Sequence, residues 1–254
     1  MKILRIPAAT LQQVLRRPGQ TLRILGLPTL IGILSLVLSM VLTAQAGLSS
    51  PMVIAVLLGL TGLQQLLLAS WAAVNFHRHV LLGERFGVLP RLHLRETARY
   101  ALGLLLIVLL CLAILIPFML VLVQLAGQST HPGRVLFLAR VLPAAVVYAM
   151  ALRLAGPLPG LAIGRSYGEG FGQQQGTQPL MIALALLIVA LSELAHLIWV
   201  LLEPGLLSFL AGIDLTLGSS ALLALLLLVR GFAAILGISL LTAIYASHRD
   251  RPAI

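Results

Sequence analysis

A chain of 254 residues that is 60% hydrophobic and 9% charged cannot clothe a soluble core of its size in polar side chains. Its mean hydropathy of +1.08 and its repeated apolar runs of about 18 or more residues predict an all-α, polytopic membrane helix bundle. The runs are continuous rather than alternating, which excludes a transmembrane β-barrel. A formal net charge of +10 raises nucleic acid as a partner, yet no nucleic-acid-binding motif is present. Arginines beside apolar runs act instead as topology signals and contacts to anionic lipid.

Residues 1–26 do not read as a secretory signal, because Arg16, Arg17 and Arg23 interrupt them and no small-residue cleavage site follows. Thr10 to Gln13 is a capping box ahead of a short amphipathic helix that ends near Arg17 and Pro18-Gly19. The first span is expected from about Leu25 to Ala44. The second runs as helix from near Met52 to about Leu82. Its last turns, with Asn75, His77, Arg78 and His79, are expected to project into the cytoplasm, and Trp71 sits where an interfacial anchor belongs. Gly87 and Pro90 break the helix, and Arg91 to Arg99 forms a short basic amphipathic helix.

The third span covers about Tyr100 to Leu125 and the fourth about Val135 to Leu154, with Pro117 and Pro143 inside them. Gly156 to Gly160 ends the fourth. Ser166-Tyr-Gly-Glu169 is a second capping box, opening a short helix through Gln175. The fifth span, about Pro179 to Leu202, stops at Glu203-Pro-Gly205, and an apolar connector leads to the sixth, about Ser219 to Tyr245. Each odd span follows a short cytoplasmic interfacial helix. The 254 residues therefore form one membrane domain of six transmembrane helices, divisible into hairpin units 7–82, 91–154 and 166–247.

Arginine and lysine set the direction. Lys2, Arg5, Arg16, Arg17 and Arg23 precede span one. Arg78, Arg85, Arg91, Arg95 and Arg99 gather after span two, Arg153 and Arg165 after span four, and Arg249 and Arg251 after span six. The opposite side has Arg134 and Arg140. The positive-inside rule places both termini in the cytoplasm.

Glu193 and His196 share one face of span five, and Arg230 lies in span six. Glu193 and Arg230 each fall roughly 15 Å from the outer end of their helices. An unpaired charge at that depth costs at least about 2.5 kcal/mol, so an intramembrane ion pair with His196 one turn away is expected. Its two readings are a register-fixing contact and a proton or anion site. Kinks at Pro117 and Pro143 leave room for an outer-leaflet cavity also lined by Arg140. Gln64 and Gln65 read as interhelical hydrogen bonds, and Ala55-x-x-x-Gly59 and Ala233-x-x-x-Gly237 as packing faces within the chain. His77-Arg-His79, Glu84 and His93 raise a metal cluster, but His77 and His79 point to different helix faces and cannot share an ion without unwinding. Glu193-x-x-His196 has no second copy with which to build a di-iron centre. Nucleophile motifs, Walker loops and dinucleotide fingerprints are missing.

Two stretches carry a resemblance. One is Asn75-Phe-His-Arg-His-Val-Leu-Leu-Gly-Glu84, followed by Arg95-Glu96 and Tyr100. The other is Arg153, then Leu158-Pro-Gly-Leu-Ala-Ile-Gly-Arg165, Gly168-Glu169 and Gly176. Together they resemble a family of uncharacterised six-span bacterial inner-membrane proteins. Their layout is similar to the membrane domain attached to some glycerophosphodiester phosphodiesterases. The resemblance implies a fold and a bacterial inner-membrane location, and it brings no catalytic residues. The expected function is a non-enzymatic scaffold or accessory subunit without cofactor or metal. Its basic cytoplasmic face, with Arg16, Arg17, Arg78, Arg85, Arg91, Arg95 and Arg99, meets anionic membrane lipid or a partner membrane protein. The alternative is a transporter or lipid-handling protein using the outer cavity.

Overall fold

The computed structural model describes residue 12 and residues 18–45, 51–87, 90–128, 132–172, 178–211 and 234–247. Every regular element among them is an α-helix: α1 Pro18–Gln45, α2 Pro51–Leu82, α3 Leu94–Gln128, α4 Pro132–Ala155, α5 Leu158–Ala162, α6 Tyr167–Gly172, α7 Gln178–Ala211 and α8 Ala234–Ser247. Four stretches are long and apolar enough to cross a membrane: Pro18–Ser39, Met52–Leu82, Leu94–Leu125 and Val141–Ala162. The fifth expected span falls on α7, whose described apolar stretch is Met181–Ala195. The sixth falls mainly on residues outside those described.

Several boundaries differ from expectation, each for a local reason. α1 is described from Pro18 onward, and of the short helix expected ahead of it only Gln12 is described, which is helical. Residues 10–17 otherwise lie outside the described residues. α2 ends at Leu82 as expected, but the terminator is Gly83, whose φ of 69° only glycine adopts freely. Arg95 and Arg99 do not sit on a separate basic helix. They form the first turns of α3, which starts where His93 O accepts the Thr97 amide at 2.8 Å. Nothing between Arg99 and Tyr100 breaks it. α7 continues through Pro204 instead of stopping at Glu203, since a proline inside a helix removes one bond and bends the rod without ending it. α4 ends at Ala155, where the expected terminator Gly156 to Gly160 begins, and the chain then makes a one-turn helix over Leu158–Ala162.

The chain divides into two compact units, the described residues of 1–106, 156–173 and 233–254, and those of 107–155 and 174–232. In the first, α1 and α2 are antiparallel neighbours. Gln65 Nε2 donates to Gly32 O at 2.8 Å and Ser35 Oγ at 3.2 Å. One turn earlier on α2, Thr61 donates to Ser39 Oγ at 3.2 Å. A Cβ on Gly32 would meet Gln65 Oε1 at 2.8 Å, so the glycine permits the approach that these bonds need. Gln64, by contrast, faces outward. Gln65→Leu is expected to lower stability by about 0.5–2 kcal/mol. Thermal unfolding in detergent reads this, and an unchanged midpoint would show that the pair contributes nothing.

The apolar surface is turned outward. Leu58 and Leu60 of α2 and Leu120 of α3 are 60% exposed or more, while Ser70, Asn75 and His77 of α2 are fully buried. That inverts the arrangement of a water-soluble protein and suits helices that face lipid. The Ala55–Gly59 stripe is part of this outward surface, and among the described residues no atom beyond their own helix turn lies within 4 Å of a Cβ built on Gly59 or Gly237. The described residues therefore show no partner for these small residues. Ala233 lies outside the described residues.

In the second unit α4 packs against α7. A cavity of about 30 Å³ beside Pro143 is lined by Ile114, Leu115, Phe118, Val146 and Val147. It is wholly apolar.

Candidate functional site

The C-terminal half of α2 departs from the rest of that helix. Six consecutive residues, Ala72 to His77, are buried, so this segment is enclosed on every face. Ile24 and Leu25 of α1 pack on Ala72 and Phe76, and Phe86 closes the same cluster with Val80, Ile235 and Ile238 around it. The last turns of α2 do not leave Asn75 and His77 open to solvent, since both side chains are enclosed by protein.

Polar groups inside such a cluster need partners, and two are met by their own helix. Ser70 Oγ donates to Leu66 O at 2.7 Å, and Asn75 Nδ2 donates to Trp71 O at 2.9 Å. Asn75 Oδ1 has no partner. His77 reaches further. Its Nδ1 lies 2.8 Å from Thr242 Oγ1 and its Nε2 lies 3.1 Å from the Tyr100 hydroxyl. Thr242 spends its proton on Ile238 O at 2.9 Å, so Thr242 Oγ1 accepts from His77 Nδ1–H. Nε2 is then the acceptor for Tyr100 O–H. One tautomer satisfies the whole series, running from Tyr100 through His77 and Thr242 to the Ile238 carbonyl. These bonds tie α3, α2 and α8 together. His77 has no exposed surface, and its ring joins three helices.

A second layer lies just past the end of α2. The left-handed turn at Gly83 folds the chain back, with Glu84 and Phe86 inward and Arg85 outward. Arg78 then grips Glu84 with two parallel bonds, Nη2 to Oε1 and Nε to Oε2, the latter at 3.1 Å. Arg78 Nη1 also donates to Ala162 O at 3.2 Å, capping α5. The side chains of Arg78 and Glu84 are only 17% and 25% exposed. His79 Nδ1 is 2.6 Å from Glu84 O, and His93 Nε2 is 3.7 Å from Glu84 Oε2. Trp71 Nε1 donates to Arg91 O at 3.0 Å and pins the far end of the connector.

The bond from Arg78 holds the Glu84 carboxyl below the usual carboxylate range, against the opposing effect of burial. Burial first, and then the Arg78 charge, push His93 below its ordinary value and favour its neutral form. His77 and His79 meet different partners, as their spacing on a helix requires. Among the described residues no three His, Cys, Asp or Glu side chains are placed to hold a metal ion.

The basic residues singled out in the sequence separate into two groups. Arg85, Arg91, Arg95 and Arg99 are exposed, whereas Arg78 turns inward to Glu84 and Ala162. Arg16, Arg17 and Arg230 lie outside the described residues. So do the side chains of Arg140 and His196, although both positions are helical. Glu193 is half-buried on α7. Its pairing with Arg230 and His196, and the cavity lined by Arg140, therefore fall outside the described residues. No family model, curated protein or solved structure matches the chain.

Sequence reasoning missed Thr242, Tyr100 and the Glu84 carboxylate as partners. The signal was present in the run Asn75-Phe-His-Arg-His79, which places four hydrogen-bonding side chains at the end of an apolar helix.

Proposed function

We propose that this chain is a non-enzymatic protein of a bacterial inner membrane. It crosses six times with both termini in the cytoplasm, and short interfacial segments precede the odd spans. It acts as a scaffold or accessory subunit whose basic cytoplasmic face contacts anionic lipid or a partner protein. The supporting observation is the way the connector between α2 and α3 presents its charge. Glu84 and Phe86 are held inside, and Trp71 fixes Arg91 O. Arg85, Arg91, Arg95 and Arg99 are left exposed on an anchored segment. Arg95 and Arg99 are four apart and share one helix face. An ordered row of guanidinium groups beside an apolar helix suits phosphate headgroups and acidic partner surfaces.

The test replaces Arg85, Arg91, Arg95 and Arg99 with glutamine and extracts both proteins in mild detergent. Mass spectrometry of co-purifying lipids and proteins is expected to show loss of anionic lipid, or of one partner, from the variant. A variant that folds normally and keeps the wild-type complement would refute the reading.

A further inference from the structure

The second unit carries an open groove of about 470 Å³ between α4 and α7, within the roughly 300–1,000 Å³ range of small-molecule sites. Its α4 side is lined by Ala145, Ala149 and Arg153 at successive four-residue steps, with Val146 and Met150 in the adjacent row. The two alanines hollow it out, and the stripe spans about 12 Å of helix. Met181, Ile182 and Leu186 of α7 form the wall. Among the described residues of the lining none is acidic, and the charged one, Arg153, stands in the last turn of α4.

We propose that this groove binds one anionic phospholipid, with an acyl chain lying along Ala145 and Ala149 and the phosphate on Arg153. The inference rests on the membrane reading above and adds a defined site to it, separate from the arginines of the α2–α3 connector. The chemistry of the two ends selects the occupant. An apolar trough in a helix pair that faces hydrocarbon is filled from the lipid phase by a flexible chain. The single cation at its end fits a phosphate, which arginine binds in a forked geometry. Arginine has five N–H donors, so it serves the phosphate while keeping bonds within the protein. A choline headgroup brings a second cation beside the guanidinium, whereas a glycerol headgroup brings none.

Native mass spectrometry of the full chain in mild detergent tests this, with phosphatidylglycerol, phosphatidylcholine or glycerol phosphate added. One phosphatidylglycerol per chain is expected to be retained in preference to phosphatidylcholine, with no retention of glycerol phosphate. Arg153→Gln is expected to weaken retention about tenfold or more, and Arg153→Lys to restore most of it. Ala149→Leu is expected to expel the lipid by filling the trough. Circular dichroism on each variant confirms that the helices are intact, and the smaller Ala149→Val replaces Ala149→Leu if that protein does not fold.

Arg95→Gln with Arg99→Gln separates this site from the connector. Unchanged phosphatidylglycerol retention in that variant supports the groove even if its other lipid and partner contacts are lost. Equal retention of phosphatidylcholine, retention of glycerol phosphate alone, or wild-type retention in folded Arg153→Gln and groove-filling variants would overturn the proposal.

Discussion

His77→Ala is expected to destabilise the protein by about 3–5 kcal/mol, the largest effect of any single substitution considered. Removing the ring leaves a cavity at a site with no exposed surface and strands the Tyr100 hydroxyl in an apolar cluster. Thr242 suffers less, because its proton already goes to Ile238 O. His77→Phe isolates the polar part. It fills most of the volume but bonds to neither neighbour, and about 2–3 kcal/mol is expected from the unpaired hydroxyl and the lost bonds. Adding Tyr100→Phe to His77→Phe is expected to recover part of that loss, since the stranded group is then gone. Thermal unfolding of the purified protein in detergent measures all three. A His77→Phe protein as stable as wild type would mean that the ring contributes shape alone.

Arg78→Met removes the partner of a largely buried carboxylate and the donor that caps α5 through Ala162 O. A loss of about 1–3 kcal/mol is expected near neutral pH, and it depends on acidity in a definite direction. Glu84 titrates below its ordinary value in the folded protein. Its contribution is therefore whole above the normal carboxylate range and disappears as pH falls through the lowered value. His93 acts in the same sense, because its depressed value makes the folded state resist protonation as the medium turns acid. The difference between wild type and Arg78→Met is expected to be largest near pH 7 and to shrink as pH falls below about 4. Melting curves across that interval check it. A difference that stays constant with pH would rule out the ion pair as its source. Arg78→Met combined with Glu84→Gln is expected to be more stable than Arg78→Met alone, since no unpaired charge remains.

How far the sequence foretold these features depends on whether a local rule was enough. The helical class follows from continuous apolar runs, and the end of α2 near Leu82 was legible, although Gly83 ends it and not the expected Gly87 and Pro90. One half of the expected Ser166–Glu169 capping box forms, with Ser166 Oγ accepting the Glu169 amide at 3.4 Å, while the Ser166 hydroxyl donates to Glu169 Oε1 at 2.8 Å. Gln65 was legible because a mid-helix amide among leucines must bond across to a neighbour. Pro204 was misread because proline signals both a stop and a bend, and only the length of helix beyond it distinguishes them. The burial of His77 was illegible for another reason. Its partners are 23 and 165 positions away, and no spacing rule reaches that far. Arg78 was grouped with the connector arginines because its charge was visible, while the reversal at Gly83 that brings Glu84 back to it was not.

The first unit is assembled from three separated pieces of chain, and its hydrogen-bonded centre draws on residues 77, 100 and 242. While the ribosome is still making the middle of the protein, the imidazole of α2 has its tyrosine but lacks its threonine. This half of the molecule is therefore completed last, although most of it is synthesised first. Until α8 is made, His77 Nδ1 lacks the acceptor that Thr242 provides in the finished protein.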